Sequence, residues 1–195
     1  MKTTIRATIA AIALSLPLAT LADDHRGPKD NYSVVDAALA VNGEGSPFKG
    51  SFDTLIALLT EDVPGRADIL NALDGKRQYT VFAPTDDAFA ALEQTVLTLG
   101  YCSLADLDPQ VVNTVLLYHV AHGRRDSSDV LGSSRIRMLS GDFLKHKSAV
   151  LTDNLMRDAE LIPGALDVEA DNGIIHAIKA VVLPILPDPG PGGCS

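Results

Sequence analysis

The chain has 195 residues, 25 acidic against 16 basic side chains, a net charge of −9 and 46% apolar residues. That length and apolar fraction suit one globular domain with a sizeable core. The acidic balance repels phosphate backbones, and no basic stripe carries interleaved aromatics, so nucleic acid is not an expected partner.

Residues 1–22 read as a signal peptide. Lys2 and Arg6 form a positive n-region, Ala7 to Leu18 is uncharged and apolar, and Thr20-Leu21-Ala22 places small residues where a signal peptidase cuts. About twelve apolar residues are too few for a bilayer core that needs roughly twenty. No second run of that kind follows, so no membrane span is expected. Residues 23–184 are then the folded domain, exported to a periplasm or beyond the cell, and 185–195 form a Pro/Gly-rich tail. The two cysteines are Cys102 and Cys194. An oxidising compartment favours a bridge between them, which would close a loop of about ninety residues and contribute about 4 to 5 kcal/mol on chain-entropy grounds. Two unrelated thiols are the other reading, and both stay open.

The first half is helical in pattern. Ser33 caps a helix running to about Asn42, with Asp36 completing a short capping box. Ser51 caps a second helix, in which Phe52, Leu55, Ile56, Leu58 and Leu59 share an apolar face. Pro64-Gly65 breaks it, and Ala67 to Asp74 forms a short third helix. A strand at Tyr79 to Ala83 leads through Pro84 into a helix capped by Thr85, with Asp86 and Asp87 in its first turn. Asp108 and Pro109 start the next helix, and its pattern runs through His119 to Gly123.

The second half alternates as strands do. Arg135 to Leu139, Phe143 to Lys147 and Ala149 to Thr152 read as short strands. Val168 to Asp171 and Ile174 to Leu183 form a hairpin about Asn172-Gly173, expected to supply the left-handed turn. Helices first and strands later make an α+β fold.

Three segments stand in a fixed order: Tyr79-Thr80-Val81-Phe82-Ala83-Pro84-Thr85-Asp86-Asp87-Ala88-Phe89, then Leu116-Leu117-Tyr118-His119-Val120, then Asn172-Gly173-Ile174-Ile175-His176 to Pro184. Together they resemble the fasciclin domain family, from about Tyr32 to Pro184. The resemblance implies a β-wedge or sandwich flanked by N-terminal helices, serving as a secreted, non-enzymatic adhesion or matrix-binding module. Its partner would be a cell-surface or matrix polysaccharide or protein, and a single adhesive domain would need self-association for multivalency. In the resemblance Tyr118 and His119 match the Tyr-His adhesion motif, while Thr80, Phe82, Pro84, Thr85, Asp86, Phe89, Asn172, Gly173 and His176 are structural. His119 and His176 sit on apolar faces, where an imidazole is usually a hydrogen-bonded core group, so Tyr118 and His119 read as structural first.

No cofactor or metal is expected. Asp167-x-Glu169-x-Asp171 resembles the start of a calcium loop, yet Asn172 stands where glycine is wanted and Ile178 where the bidentate glutamate belongs. His119 and His122 are three apart but lack a third ligand. Arg135, Arg137, Lys145, His146 and Lys147 gather basic charge that would meet an anionic glycan or remain a solvated strand face. Catalytic signatures are missing. The alternatives to adhesion are a soluble extracytoplasmic receptor and an unrecognised hydrolase.

Overall fold

The computed structural model describes residues 32–147 and 150–187, Lys147 by its backbone alone. The leader, Cys194 and the end of the tail lie outside the described residues, and with them the proposed cleavage site and the cysteine pair.

A helical layer comes first in the chain. Helices α1 (Val34–Asn42), α2 (Asp53–Thr60) and α3 (Arg66–Leu73) precede strand β1 (Tyr79–Pro84). Helix α1 begins with the expected capping box, the Ser33 hydroxyl accepting from the Asp36 N–H and the Asp36 carboxylate accepting from the Ser33 N–H. Helix α2 differs. Its N-cap is Phe52, which offers no side-chain acceptor. The cap comes from 33 residues away, where the Asp86 carboxylate accepts the N–H groups of Asp53 and Thr54 at 3.2 and 2.8 Å. Ser51 instead gives its carbonyl to the Asp86 N–H. Helix α4 (Asp86–Thr98) follows β1 at once, and Thr85 holds its N-cap position without bonding through its side chain.

Helix α5 (Pro109–Tyr118) starts as expected, with the Asp108 carboxylate accepting from the Gln110 N–H. It stops four residues early. His119 is its C-cap, and Val120–His122 form strand β2, antiparallel to β1. The β-branched and apolar pair Val120-Ala121 gains more by pairing with Val81 and Thr80 than by another helical turn. Gly123, at φ +86°, then ends the strand. His119 and His122 therefore do not share a helix face. His122 is exposed and stacks on the Tyr79 ring with centroids 5.8 Å apart.

A short helix α6 (Ser127–Gly132) leads into a four-stranded antiparallel meander of β3 (Arg135–Arg137), β4 (Phe143–Lys147), β5 (Val150–Thr152) and β6 (Asp158–Glu160). The remaining strands, β7 (Val168–Ala170) and β8 (Gly173–Ile178), complete the first sheet in the order β2-β1-β8-β7. Within it β1 and β8 are parallel and central. Every residue of β8 is buried, as expected for a strand covered on both faces.

Two cores follow. One lies between the first sheet and the helices and includes Phe52, Leu73, Phe89, Leu92, Val96 and Ile175. The other lies between the sheets and includes Phe82, Tyr118, Ile136, Leu144, Leu151 and Ile178. Isolated bridges Ala121–Met138 and Leu161–Ile178 tie the two sheets together. This is an α+β wedge with helices α1 to α5 on one side, while α6 turns Val130 into the core between the sheets.

The β7–β8 turn is made by Asp171 and Asn172, because Ala170 pairs with Gly173. Neither Asn172 nor Gly173 has positive φ, so the expected left-handed Asn-Gly turn is not formed. Glycine is required here for space. A Cβ on Gly173 would lie 2.2 Å from the Tyr79 carbonyl oxygen.

Candidate functional site

The Tyr118-His119 pair straddles the two cores. Tyr118 points between the sheets, fully buried, and its hydroxyl donates to the Phe143 carbonyl at 2.9 Å. Burial is the main cause that pushes its pKa up to about 12. The His119 ring faces a small apolar hollow in the helical layer. Its Nε2 accepts the Val182 N–H at 3.2 Å, which leaves Nδ1 protonated to donate to the Val115 carbonyl at 2.7 Å. Burial holds its pKa down to about 4. Neither side chain reaches the surface.

His176 on β8 is also enclosed, with its ring beside Phe82. The Asp167 N–H donates to Nδ1 at 3.3 Å, so Nε2 carries the proton and donates to the Arg125 carbonyl at 2.9 Å. Desolvation lowers its pKa. The Ser127 hydroxyl donates to the Asp167 carboxylate at 2.6 Å, and that carboxylate stands 3.8 Å from His176 Nδ1. Ser, Asp and His are thus neighbours in the wrong order for nucleophilic catalysis. The serine is bonded to the acid and not to a base that would take its proton.

The other motif residues brace the same scaffold. The Thr80 hydroxyl donates to the Gly123 carbonyl and accepts from the Arg125 N–H. Phe82 fills the inter-sheet core and Phe89 the helical one. Pro84 closes β1 opposite Ile178. Asn172 is buried and joins three elements, its Oδ1 accepting from the Val34 N–H and its Nδ2 donating to the carbonyls of Leu73 and Gly75. The carboxylates of the calcium-like run diverge: Asp167 binds Ser127, Glu169 pairs with Arg124, and Asp171 accepts from the Tyr32 N–H. Among the described residues no group of three side chains is arranged to hold a metal.

Two surface features remain. On the outer face of the meander, Arg135 stands directly across from Lys145 and Arg137 from Phe143, all exposed, and the Arg135 guanidinium lies 4.6 Å over the Phe143 ring. Next in the row come Thr152 and then Asp158, whose carboxylate accepts from the Thr152 hydroxyl. The second feature is a cleft of about 670 Å³ between α2, α4 and α5. At its edge Arg66 is only 1% exposed, yet the single hydrogen bond of its side chain runs from Nε to the Asn113 side-chain oxygen at 2.8 Å. No local sequence signal marks Arg66, Asn113 or Asp153. Asp153 is the fully satisfied partner of Arg157 and of the Leu183 N–H.

Among the described residues no helix is long and apolar enough to cross a membrane. The two-sheet wedge matches a solved domain pair of the insect cell adhesion molecule Fasciclin I with a TM-score of 0.55 at 19% identity, covering 78% of this chain and 51% of that one. Protein sll1483 of Synechocystis sp. is 30% identical over 94% of this chain and 99% of its own length. Human periostin is 27% identical over 60% of this chain and 13% of periostin. The sequence profile of the fasciclin domain covers residues 50–184, from the loop before α2 to the end of the segment that seats His119 and His176. The chain belongs to the fasciclin domain family.

Proposed function

We propose that the protein is an extracytoplasmic, non-catalytic binding module, and that it recognises an anionic surface or matrix polymer through the outer face of β3 and β4. One observation carries this reading. Arg135 and Lys145 face each other across the strand pair, and among the described residues neither makes an ion pair. Like charges directly opposite on a sheet are destabilising. The acid of that row, Asp158, lies beyond Thr152 and accepts from its hydroxyl, so the residue next to Lys145 in the row is uncharged. A polyanion would supply the missing negative charge from outside.

The surroundings suit an extended ligand. Arg137 extends the charge of the face, and the stacking of Arg135 on Phe143 keeps the guanidinium along the sheet. Thr80, Tyr118, His119, Asn172 and His176 are buried groups with hydrogen-bond partners, which points recognition to the outer surface. Likeness to a cell adhesion molecule agrees with binding as the task.

The test is retention on immobilised dextran sulfate. The protein should bind at low salt and elute as salt is raised, because exposed charge contacts are screened. The Arg135→Ser/Lys145→Ser variant should fold normally and lose retention. Unchanged retention of that variant would remove this face from the account.

A further inference from the structure

We infer that the cleft between α2, α4 and α5 is a binding site for a small aliphatic monocarboxylate, with Arg66 as the group that takes the carboxylate. Arg66 is the first residue of α3, entered through Gly65 in the left-handed conformation. Its Nε donates to Asn113, and Asn113 is fixed in turn by donating to the Pro64 carbonyl at 2.9 Å. The guanidinium is therefore preorganised from behind. Its two remaining nitrogens, Nη1 and Nη2, have no hydrogen-bond partner in the protein. The nearest acid, Glu61, stands 3.7 Å from Nη1, beyond hydrogen-bond length, with its own side chain 51% exposed.

A buried guanidinium with one of its five N–H groups satisfied is costly for a fold. Desolvation accordingly lowers the Arg66 pKa, with Glu61 opposing the shift. The fork left open is the geometry that meets a carboxylate with two parallel hydrogen bonds. Glu61, being half-exposed, is the side chain that swings aside when a ligand carboxylate takes its place.

The rest of the cleft defines the ligand's body. Leu58, Phe89, Leu104, Leu107 and Val112 line it, and the same five side chains also wall the apolar hollow at His119. An alkyl chain anchored at Arg66 would run along this wall. The hollow itself is only about 40 Å³, so it admits the end of a chain and not its length. Glu61, Asp86 and Glu93 also face the cleft, which disfavours ligands with a second negative charge. Asp86 is already engaged at the α2 N-terminus.

Octanoate is the probe, followed by titration calorimetry and amide chemical shifts on the full chain. Saturable binding is expected, with amide shifts centred on Arg66, Asn113 and Val112. Octan-1-ol, of equal length but uncharged, and octanedioate should each bind at least tenfold more weakly. Arg66→Met should abolish the preference for octanoate over octan-1-ol while raising the melting temperature, because it removes a buried charge that lacks partners. A purely structural Arg66 would instead give a lower melting temperature. Glu61→Gln, at an exposed position, should tighten octanoate severalfold by removing the competing acid. Equal binding of octanoate and octan-1-ol, no saturable octanoate binding, or octanoate affinity unchanged by Glu61→Gln would each overturn the assignment.

Discussion

His119 and His176 are held in opposite tautomers by one rule: each ring donates to one backbone carbonyl and accepts from one backbone N–H. His119 is protonated on Nδ1, toward Val115, and His176 on Nε2, toward Arg125. Neither ring can take a second proton without turning the backbone N–H it accepts into a repulsive neighbour. The shared consequence is a fold that requires both imidazoles neutral.

Acid sensitivity follows, with a definite sign. Folding depresses both pKa values, that of His119 to about 4, below the ordinary 6.5. In that window the unfolded chain binds more protons, so stability rises with pH. The His119 contribution is complete above about pH 6.5 and is lost as the pH falls toward 4, a change on the order of 3 kcal/mol. Urea unfolding at pH 7 and pH 4.5 should show the drop. His119→Gln should be less stable at pH 7 but lose less on acidification. Equal losses in the two proteins would show that His119 is not the titrating group.

The two acceptors near the start of α2 give a clean contrast. Asp86→Ala removes the carboxylate that receives two helix N–H groups and should cost about 1 kcal/mol, as a lost N-cap does. Ser51→Ala should change stability by less than about 0.5 kcal/mol, the range of an uninvolved surface site. Thermal melts of both variants decide it. The reverse order would restore Ser51 as the cap.

That contrast shows what was legible in the sequence. The passage from Thr80 to Phe89 was readable because a β-branched strand, Pro84 and a polar N-cap residue are adjacent in the chain. The choice of capping side chain was not, since Asp86 serves a helix that starts 33 residues earlier. Asn172 looked like a turn residue because Asn-Gly is a local signal, whereas its partners lie 97, 99 and 138 residues away. The early end of α5 was hidden because Val120 and Ala121 also fit the helical pattern. Strand β6, with one buried residue between two exposed acids, is too short to alternate visibly. Arg66 left no trace, since a charged residue after Pro64-Gly65 looks like any first-turn side chain and its partner Asn113 is 47 residues distant.

Asn172 should be among the least replaceable polar residues. Asn172→Ala leaves the Val34 N–H and the carbonyls of Leu73 and Gly75 without their partner, at about 1 to 3 kcal/mol for each buried group left unpaired. Asn172→Asp keeps the acceptor for Val34 but turns an oxygen toward two carbonyls. It should therefore be at least as damaging as alanine at pH 7 and recover partly in acid, as the carboxyl gains a proton to donate. Urea midpoints across that pH range test the pair, and an aspartate variant as stable as the parent at pH 7 would contradict the clamp.

Gly173 and Gly123 separate two reasons for a glycine. At Gly123 the φ of +86° is unfavourable for any side chain, but a Cβ would meet nothing within 4 Å. Alanine there should cost about 1 kcal/mol of backbone strain. At Gly173 the backbone angle is permissive and the space is not, since the Cβ would lie 2.2 Å from the Tyr79 carbonyl oxygen and 2.8 Å from a Val34 methyl. Backbone oxygen in a central parallel strand pair cannot yield as a flexible side chain does, so β1 and β8 would have to part. Gly173→Ala should exceed Gly123→Ala in cost, by about 2 kcal/mol or more if it behaves as overpacking at a rigid site. It should also raise amide exchange along β1 and β8 selectively. If the two alanine variants melt together, the close approach of β8 to β1 is not what selects glycine at the turn.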